Sequence, residues 1–165
     1  MIKFLLGVLI IKFENLKNHC IYSVFKKKYK INNTFRFNGN GILFYGDGEI
    51  HIGENSYIGE LSTIQAVKGN KVKIGKNCQI SHNVRVYTST DIADQDFSLK
   101  NRLVKNADVI IGDFVWIGAN VFINPGVEIE DNSIIGANSV VTKSVKANTI
   151  VGGVPARIIR QKSYK

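Results

Sequence analysis

At 165 residues and 44% hydrophobic composition, the chain is long enough for one folded domain with a real core, with room for an appendage. Its formal net charge is +9, placed unevenly: eight basic and one acidic residue in 1–36 (+7), eight and twelve in 37–142 (−4), six and none in 143–165 (+6). A nucleic-acid reader would carry a basic stripe with interleaved aromatics on its main body, and this body is mildly acidic. The basic ends suit phosphate-bearing small molecules or a membrane surface instead.

Residues 1–33 open the chain as a short helical segment. The uninterrupted apolar run, Phe4 to Ile11, is eight residues long, bounded by Lys3 and Lys12, and is too short to cross a bilayer. A secretory signal would need a small-residue cleavage site after it, and FENLKNHC offers none. Two readings follow. The segment is a cap over the open end of a repeat array, or an interfacial anchor that brings Lys26, Lys27, Lys28 and Lys30 close to anionic lipid through residues 1–30.

Residues 34–51, rich in Gly and aromatics, read as an imperfect first coil of a repeat that becomes regular at Ile52. The blocks IGENSY, IGELST and IQAVKG form one coil. A short insertion at 70–73 precedes IGKNCQ, ISHNVR and VYTSTD, which form the next. The period then fails over 92–110, a polar and charged stretch expected to project from one corner as a functional loop. It resumes at Ile111 as IGDFVW, IGANVF, INPGVE, IEDNSI, IGANSV, VTKSVK and ANTIVG.

A period of six matches neither the helical period nor simple strand alternation, and a fixed-period repeat decides the architecture. The reading is all-β: a parallel β-helix over 34–153, with one flat strand and one corner per block and three blocks per triangular coil. Ile111, Ile117, Ile123, Ile129, Ile135 and Val141 should point inward as ladders. Gly112, Gly118 and Gly136 should sit where the backbone needs freedom that a Cβ would restrict. Residues 154–165 leave the pattern at Pro155 and form a short extension or helix on the last coil.

The blocks IGDFVWIGANVFINPGV, IGANSVVTK and GGVPARII resemble the hexapeptide-repeat acyltransferases, in the branch of galactoside, maltose and polysaccharide O-acetyltransferases. The resemblance covers roughly residues 50–160. It implies a left-handed coil, a homotrimer with sites between neighbouring prisms, and acetyl-coenzyme A as the co-substrate. On matching positions, Trp116 and Ala119 would line the thioester channel, and Ala137, Thr142 and Lys143 would contact the pantetheine arm. Arg157 and Arg160 would stand near the nucleotide phosphates, in keeping with the cationic C-terminal end. The acceptor implied is a sugar hydroxyl on a surface polysaccharide unit or its precursor. The setting is cytoplasmic, with peripheral contact at the inner membrane for a lipid-carried acceptor.

One departure matters. Galactoside-acetyltransferase relatives carry a catalytic His seventeen residues after the Ile that matches Ile74, and here that position is Asp91. Of the three histidines, His19 reads as a surface residue and His51 as a polar residue before the first clean block. His82, at the third place of ISHNVR, faces outward one coil below Trp116. It is the candidate base, because imidazole is the side chain that changes charge near neutral pH. Asp91 is the candidate to orient it or to hold an acceptor hydroxyl. Acetylation of an amino sugar on a nucleotide carrier and a non-catalytic scaffold are the alternatives. A zinc hydrolase would need three clustered His ligands, and only His82 lies inside the regular repeat. No metal site is expected. The two cysteines, Cys20 and Cys78, form no metal or redox spacing and suit a reducing compartment.

Overall fold

The first and fifth places of each six-residue block turn to one shared interior. In the computed structural model, which describes residues 1–163, the openers Ile111, Ile117, Ile123, Ile129, Ile135 and Val141 are all buried. So are the fifth-place residues Val115, Val121, Ser133, Ser139 and Val145. Each such Ile or Val withdrawn from water contributes about 1.5–3 kcal/mol relative to leaving it exposed, which is why two apolar places in six suffice for a core.

The strands between corners are only two to five residues long. The first coil is β1 (Lys30–Ile31), β2 (Arg36–Asn38) and β3 (Leu43–Tyr45). The second is β4 (Glu49–Ile52), β5 (Tyr57–Gly59) and β6 (Thr63–Gln65), and the third is β7 (Lys71–Ile74), β8 (Gln79–Ile80) and β9 (Arg85–Tyr87). A hairpin of β10 (Ser89–Asp91) and β11 (Val104–Asn106) interrupts the array. The fourth coil is β12 (Val109–Ile111), β13 (Trp116–Ile117) and β14 (Phe122–Ile123), and the fifth is β15 (Glu128–Ile129), β16 (Ile134–Ile135) and β17 (Val140–Val141). A bridge at Val145 and β18 (Thr149–Gly153) begin a sixth, and β19 (Ala156–Gln161) folds back on β18 antiparallel. The stack forms three parallel faces. The first is β1-β4-β7-β12-β15, the second is β2-β5-β8-β13-β16-β18-β19, and the third is β3-β6-β9-β14-β17.

Four expectations change in detail. The first coil begins at Lys30, not residue 34. The insertion is a paired hairpin, and the repeat resumes at the buried Val109 rather than at Ile111, because Val109 to Ile111 pair with Val72 to Ile74. The C-terminal segment, expected as a short extension or a helix, is a strand. Its backbone satisfies the outer edge of β18; residues 164–165 of that extension lie outside the described residues.

The fourth correction concerns the glycines. None of Gly112, Gly118 and Gly136 has a positive φ. The left-handed corner residue is the fourth place, held mainly by Asn: Asn55, Asn77, Asn83, Asn120, Asn132 and Asn138 have φ between 54° and 59°, as does Asn148, the second residue of ANTIVG. Asn tolerates this region better than other residues with a Cβ. Its amide also links coils, with Asn83 Nδ2 donating to Asn120 Oδ1 at 2.8 Å and Asn120 Nδ2 to Asn138 Oδ1 at 3.0 Å. Glycine at the second place answers a different need, namely closeness. A Cβ on Gly118 would lie 2.5 Å from the Ala137 backbone nitrogen, and one on Gly112 would run into the Asp131 carboxylate.

The helix α1 (Ile2–Lys28) closes one end of the prism with its last third only. Tyr22 stacks on Phe37 at 4.4 Å and Phe25 on Phe44 at 5.4 Å, and Asn18 Nδ2 donates to Asn40 Oδ1 at 2.9 Å. Phe35, Phe44 and Ile42 of the first coil are thereby buried.

Gly118→Ala, which drives a methyl into backbone, is expected to cost about 1–3 kcal/mol and lower the melting temperature. Gly136→Ala meets nothing closer than 3.4 Å and should leave melting unchanged or slightly raised. The two cysteines give a second check. Cys78 is buried, which raises its thiol pKa, and its Sγ faces the Gly112 carbonyl oxygen at 3.0 Å, whereas Cys20 is exposed. A disulfide-exchange reagent at mildly alkaline pH should titrate one thiol per native chain, and the second only after unfolding.

Candidate active site

Because every coil repeats the same path, one place in the block becomes a column along the prism. On the second face the outward column runs Arg36, Tyr57, Gln79, Trp116, Ile134 and Ile150, each paired with the next, and Ile150 then pairs with Arg160 across β18 and β19. Trp116 is half exposed there. The column leads from an aromatic platform over two aliphatic rungs to a guanidinium.

A second column stands at the corner between the second and third faces, at the third place of the block. Asn83 N–H donates to the Glu60 carbonyl, Asn120 N–H to the His82 carbonyl and Asn138 N–H to the Ala119 carbonyl, at 2.9, 3.0 and 2.8 Å. Glu60, His82, Ala119 and Ala137 therefore follow one another in successive coils. The His82 side chain is 63% exposed, and its Nδ1 lies 4.0 Å from Glu60 Oε1. Glu60 is a neighbour that the sequence reading missed. Aligning IGELST on ISHNVR, with both openers on one face, puts Glu60 at the place of His82.

Other expected site residues sit on a different corner. Thr142 and Lys143 follow β17, and the Asp91 hairpin leaves after β9, so all three lie between the third and first faces. Asp91 Oδ2 pairs with Arg102 NH1 at 3.5 Å, and both side chains are nearly half exposed. The third face separates His82 from Asp91 within one chain. The hairpin is braced by Gln95, whose Nε2 donates to the Ile92 and Leu103 carbonyls and whose Oε1 accepts from Leu103 N–H. The backbone N–H of Ser98 holds the Asp96 carboxyl below its usual range.

At the end of the prism, Lys143, Lys146, Val151, Ala156 and Arg157 line an open cavity of about 270 Å³. Lys146 Nζ donates to Glu130 Oε1 at 2.7 Å, an exposed pair that lowers the Glu130 pKa and raises that of Lys146. Among the described residues, no carboxylate pairs with Lys143, Arg157 or Arg160. These three cations are thus available to an anion. A larger cavity of about 380 Å³ on the first face sets Asp113, Glu128, Glu130 and Asp131 against one cation, Lys73, and has the wrong sign for a polyphosphate.

The family model "Bacterial transferase hexapeptide (six repeats)" matches residues 108–143. The chain superposes with a TM-score of 0.71 on a galactoside acetyltransferase in complex with coenzyme A. It is 36% identical to that protein and covers 85% of this chain and 68% of the other. The chain belongs to the hexapeptide-repeat acyltransferase family. Among its sequence relatives is the galactoside O-acetyltransferase of Escherichia coli K12, 41% identical over 120 residues, 73% of this chain and 58% of that protein. Another E. coli K12 relative, provisionally named an O-acetyltransferase of lipopolysaccharide biosynthesis, is 32% identical over 130 residues, 77% of this chain and 64% of that one. The chain therefore spans about three fifths of the length of these relatives. In this chain Trp116, Ala119 and Ala137 stand along one prism edge, and position 91 is Asp.

Proposed function

We propose that this chain transfers an acetyl group from acetyl-coenzyme A to a sugar hydroxyl of a surface polysaccharide unit or its precursor, and that His82 is the general base. The observation that carries this reading is the joint course of the two columns: Trp116, Ile134, Ile150 and Arg160 on one face, with His82, Ala119 and Ala137 along its edge. They form a strip with an imidazole at one end and unpaired cations at the other. An extended ligand with a thioester at one end and phosphates at the other suits such a strip. Relatives named as O-acetyltransferases, and a galactoside acetyltransferase in complex with coenzyme A, support the same donor and acceptor class.

In the proposed reaction the acceptor oxygen attacks the thioester carbonyl carbon while the His82 imidazole takes the hydroxyl proton. The C–S bond breaks, coenzyme A leaves as the thiolate, and the imidazolium returns the proton to it. Thr142, Lys143 and Asp91 can join this site only from another copy of the chain, because the third face lies between the two corners. A homotrimer, with the third-to-first corner of one prism beside the second-to-third corner of the next, supplies that arrangement. The setting that suits this reaction is the cytoplasm, at the inner face of a membrane where a lipid carrier would hold the precursor.

Coenzyme A release against a panel of sugars, nucleotide sugars and lipid-linked oligosaccharides tests the reaction. Products acetylated on nitrogen would shift the reading to amino sugars. His82→Ala is expected to lower turnover by about 10²–10⁴ with coenzyme A affinity little changed, and Asp91→Asn to cost less. Wild-type turnover in the His82 variant would move the base elsewhere. Arg157→Ala and Arg160→Ala should each weaken coenzyme A binding by roughly tenfold or more in calorimetry, with the loss shrinking at high salt, since a hydrogen bond to a charged group is worth about 1.5–3 kcal/mol.

A further inference from the structure

The first half of α1 presents an apolar surface that no described part of the chain covers. No side chain of residues 2–16 is buried, and Ile2, Phe4, Leu9, Ile10, Phe13 and Leu16 are 59–76% exposed. Apolar residues surround nearly the whole helix here, and a helix of that kind is normally buried in something. The remainder of α1 is held on the first coil by Asn18, Tyr22, Phe25 and Tyr29, so the exposed half is presented by a fixed base.

Its charges narrow the choice of occupant. Within α1, Lys3, Lys12, Lys17, Lys26, Lys27 and Lys28 stand against one acidic residue, Glu14, and Glu14 already pairs with Lys17 at 2.8 Å. Packing against the same helix of a second copy would cover the apolar side chains but crowd these lysines together with almost no counter-charge. A bilayer bearing anionic lipids accepts both features: apolar side chains enter the acyl boundary while lysines reach back to phosphates. The length is that of entering one leaflet rather than crossing. Fifteen residues rise about 22 Å, short of the roughly 30 Å hydrocarbon core, and no described helix is long and apolar enough to cross a membrane.

We propose that residues 2–16 of α1 form a non-crossing anchor for an anionic lipid surface, which seats the first coil of the prism against the bilayer. A groove of about 400 Å³ at the junction, lined by His19, Lys26 and Arg36 over Tyr22, Phe35 and Phe37 and by no acidic side chain, opens at the same end. It suits a lipid phosphate. The consequence for the site rests on the acetyl-transfer reading above. His82 lies two coils beyond the first, about 10 Å at the ordinary strand spacing, so the favoured acceptor is a sugar carried on a lipid phosphate. The anchor itself does not depend on that reading.

Vesicle flotation of the full chain tests the anchor without turnover. Binding is expected to vesicles of phosphatidylcholine with a third phosphatidylglycerol, to weaken in phosphatidylcholine alone and to weaken with salt. The triple variant L6E/L9E/F13E, altered only at exposed positions, should keep the far-ultraviolet circular dichroism and melting of the parent and lose binding by about a hundredfold or more. Failure of the parent to float, or equal flotation of the triple variant, overturns the anchor. So does a triple variant that instead drops to a smaller oligomer by light scattering, which would assign the surface to a second copy. A parent that floats yet transfers no acetyl group leaves the anchor standing and removes the catalytic reading.

Discussion

The close approach of one coil to the next governs this molecule. Successive strands on each face are joined by backbone hydrogen bonds of ordinary length, which leaves no room for a side chain where a corner passes directly over another. At Gly118 a single methyl group would lie 2.5 Å from backbone of the next coil. The same approach superposes identical places of the block, so aliphatic openers form unbroken ladders and corner asparagines bond to one another along the prism. Buried hydroxyls fit the same frame: Ser56 Oγ donates to the Gly75 carbonyl and accepts from Cys78 N–H, so a polar fifth place costs little.

Superposition is also what makes a site out of a repeat. A residue far away in sequence becomes a neighbour when it shares a place in the block, as Glu60, His82, Ala119 and Ala137 do. A long groove along the prism edge results, and its ends differ chemically because the blocks differ in polarity toward the C-terminus. The antiparallel β19 extends the second face by one strand and brings Arg160 into line with Trp116. The corner that carries Thr142, Lys143 and the hairpin faces another direction, so the two halves of the proposed site call for more than one copy of the chain.

The two ends of the prism are closed in different ways. At the C-terminal end a strand satisfies the sheet edge and leaves cations free. At the other end α1 covers Phe35, Ile42 and Phe44 with its last third and leaves its apolar first half in the open. Covering that end requires only the segment from Asn18 to Tyr29, so the exposed half needs a different physical explanation.

The amino-acid sequence by itself determined the β-helix, its coil divisions and the inward ladders, because a period of six with aliphatic openers can be buried in few other ways. It also supplied, through the family resemblance alone, the expectation that Trp116, Ala119 and Ala137 line a cofactor groove, and it places Asp at position 91. It misread the glycines, since a residue needed for closeness and one needed for positive φ look alike until the coils are stacked. It placed the restart of the repeat two residues late, because Asp108 to Ile110 interrupt the six-residue spacing while the backbone has already rejoined the sheet. Only the tertiary structure decided which corner each candidate occupies. Sequence distance fixes a residue's place in the block, but the neighbours of that place come from other coils. For the same reason the division of α1 into a packed third and an exposed half was not legible in residues 1–30. Apolar side chains look the same whether they meet protein or lipid, and only the aromatic contacts of the first coil separate the two.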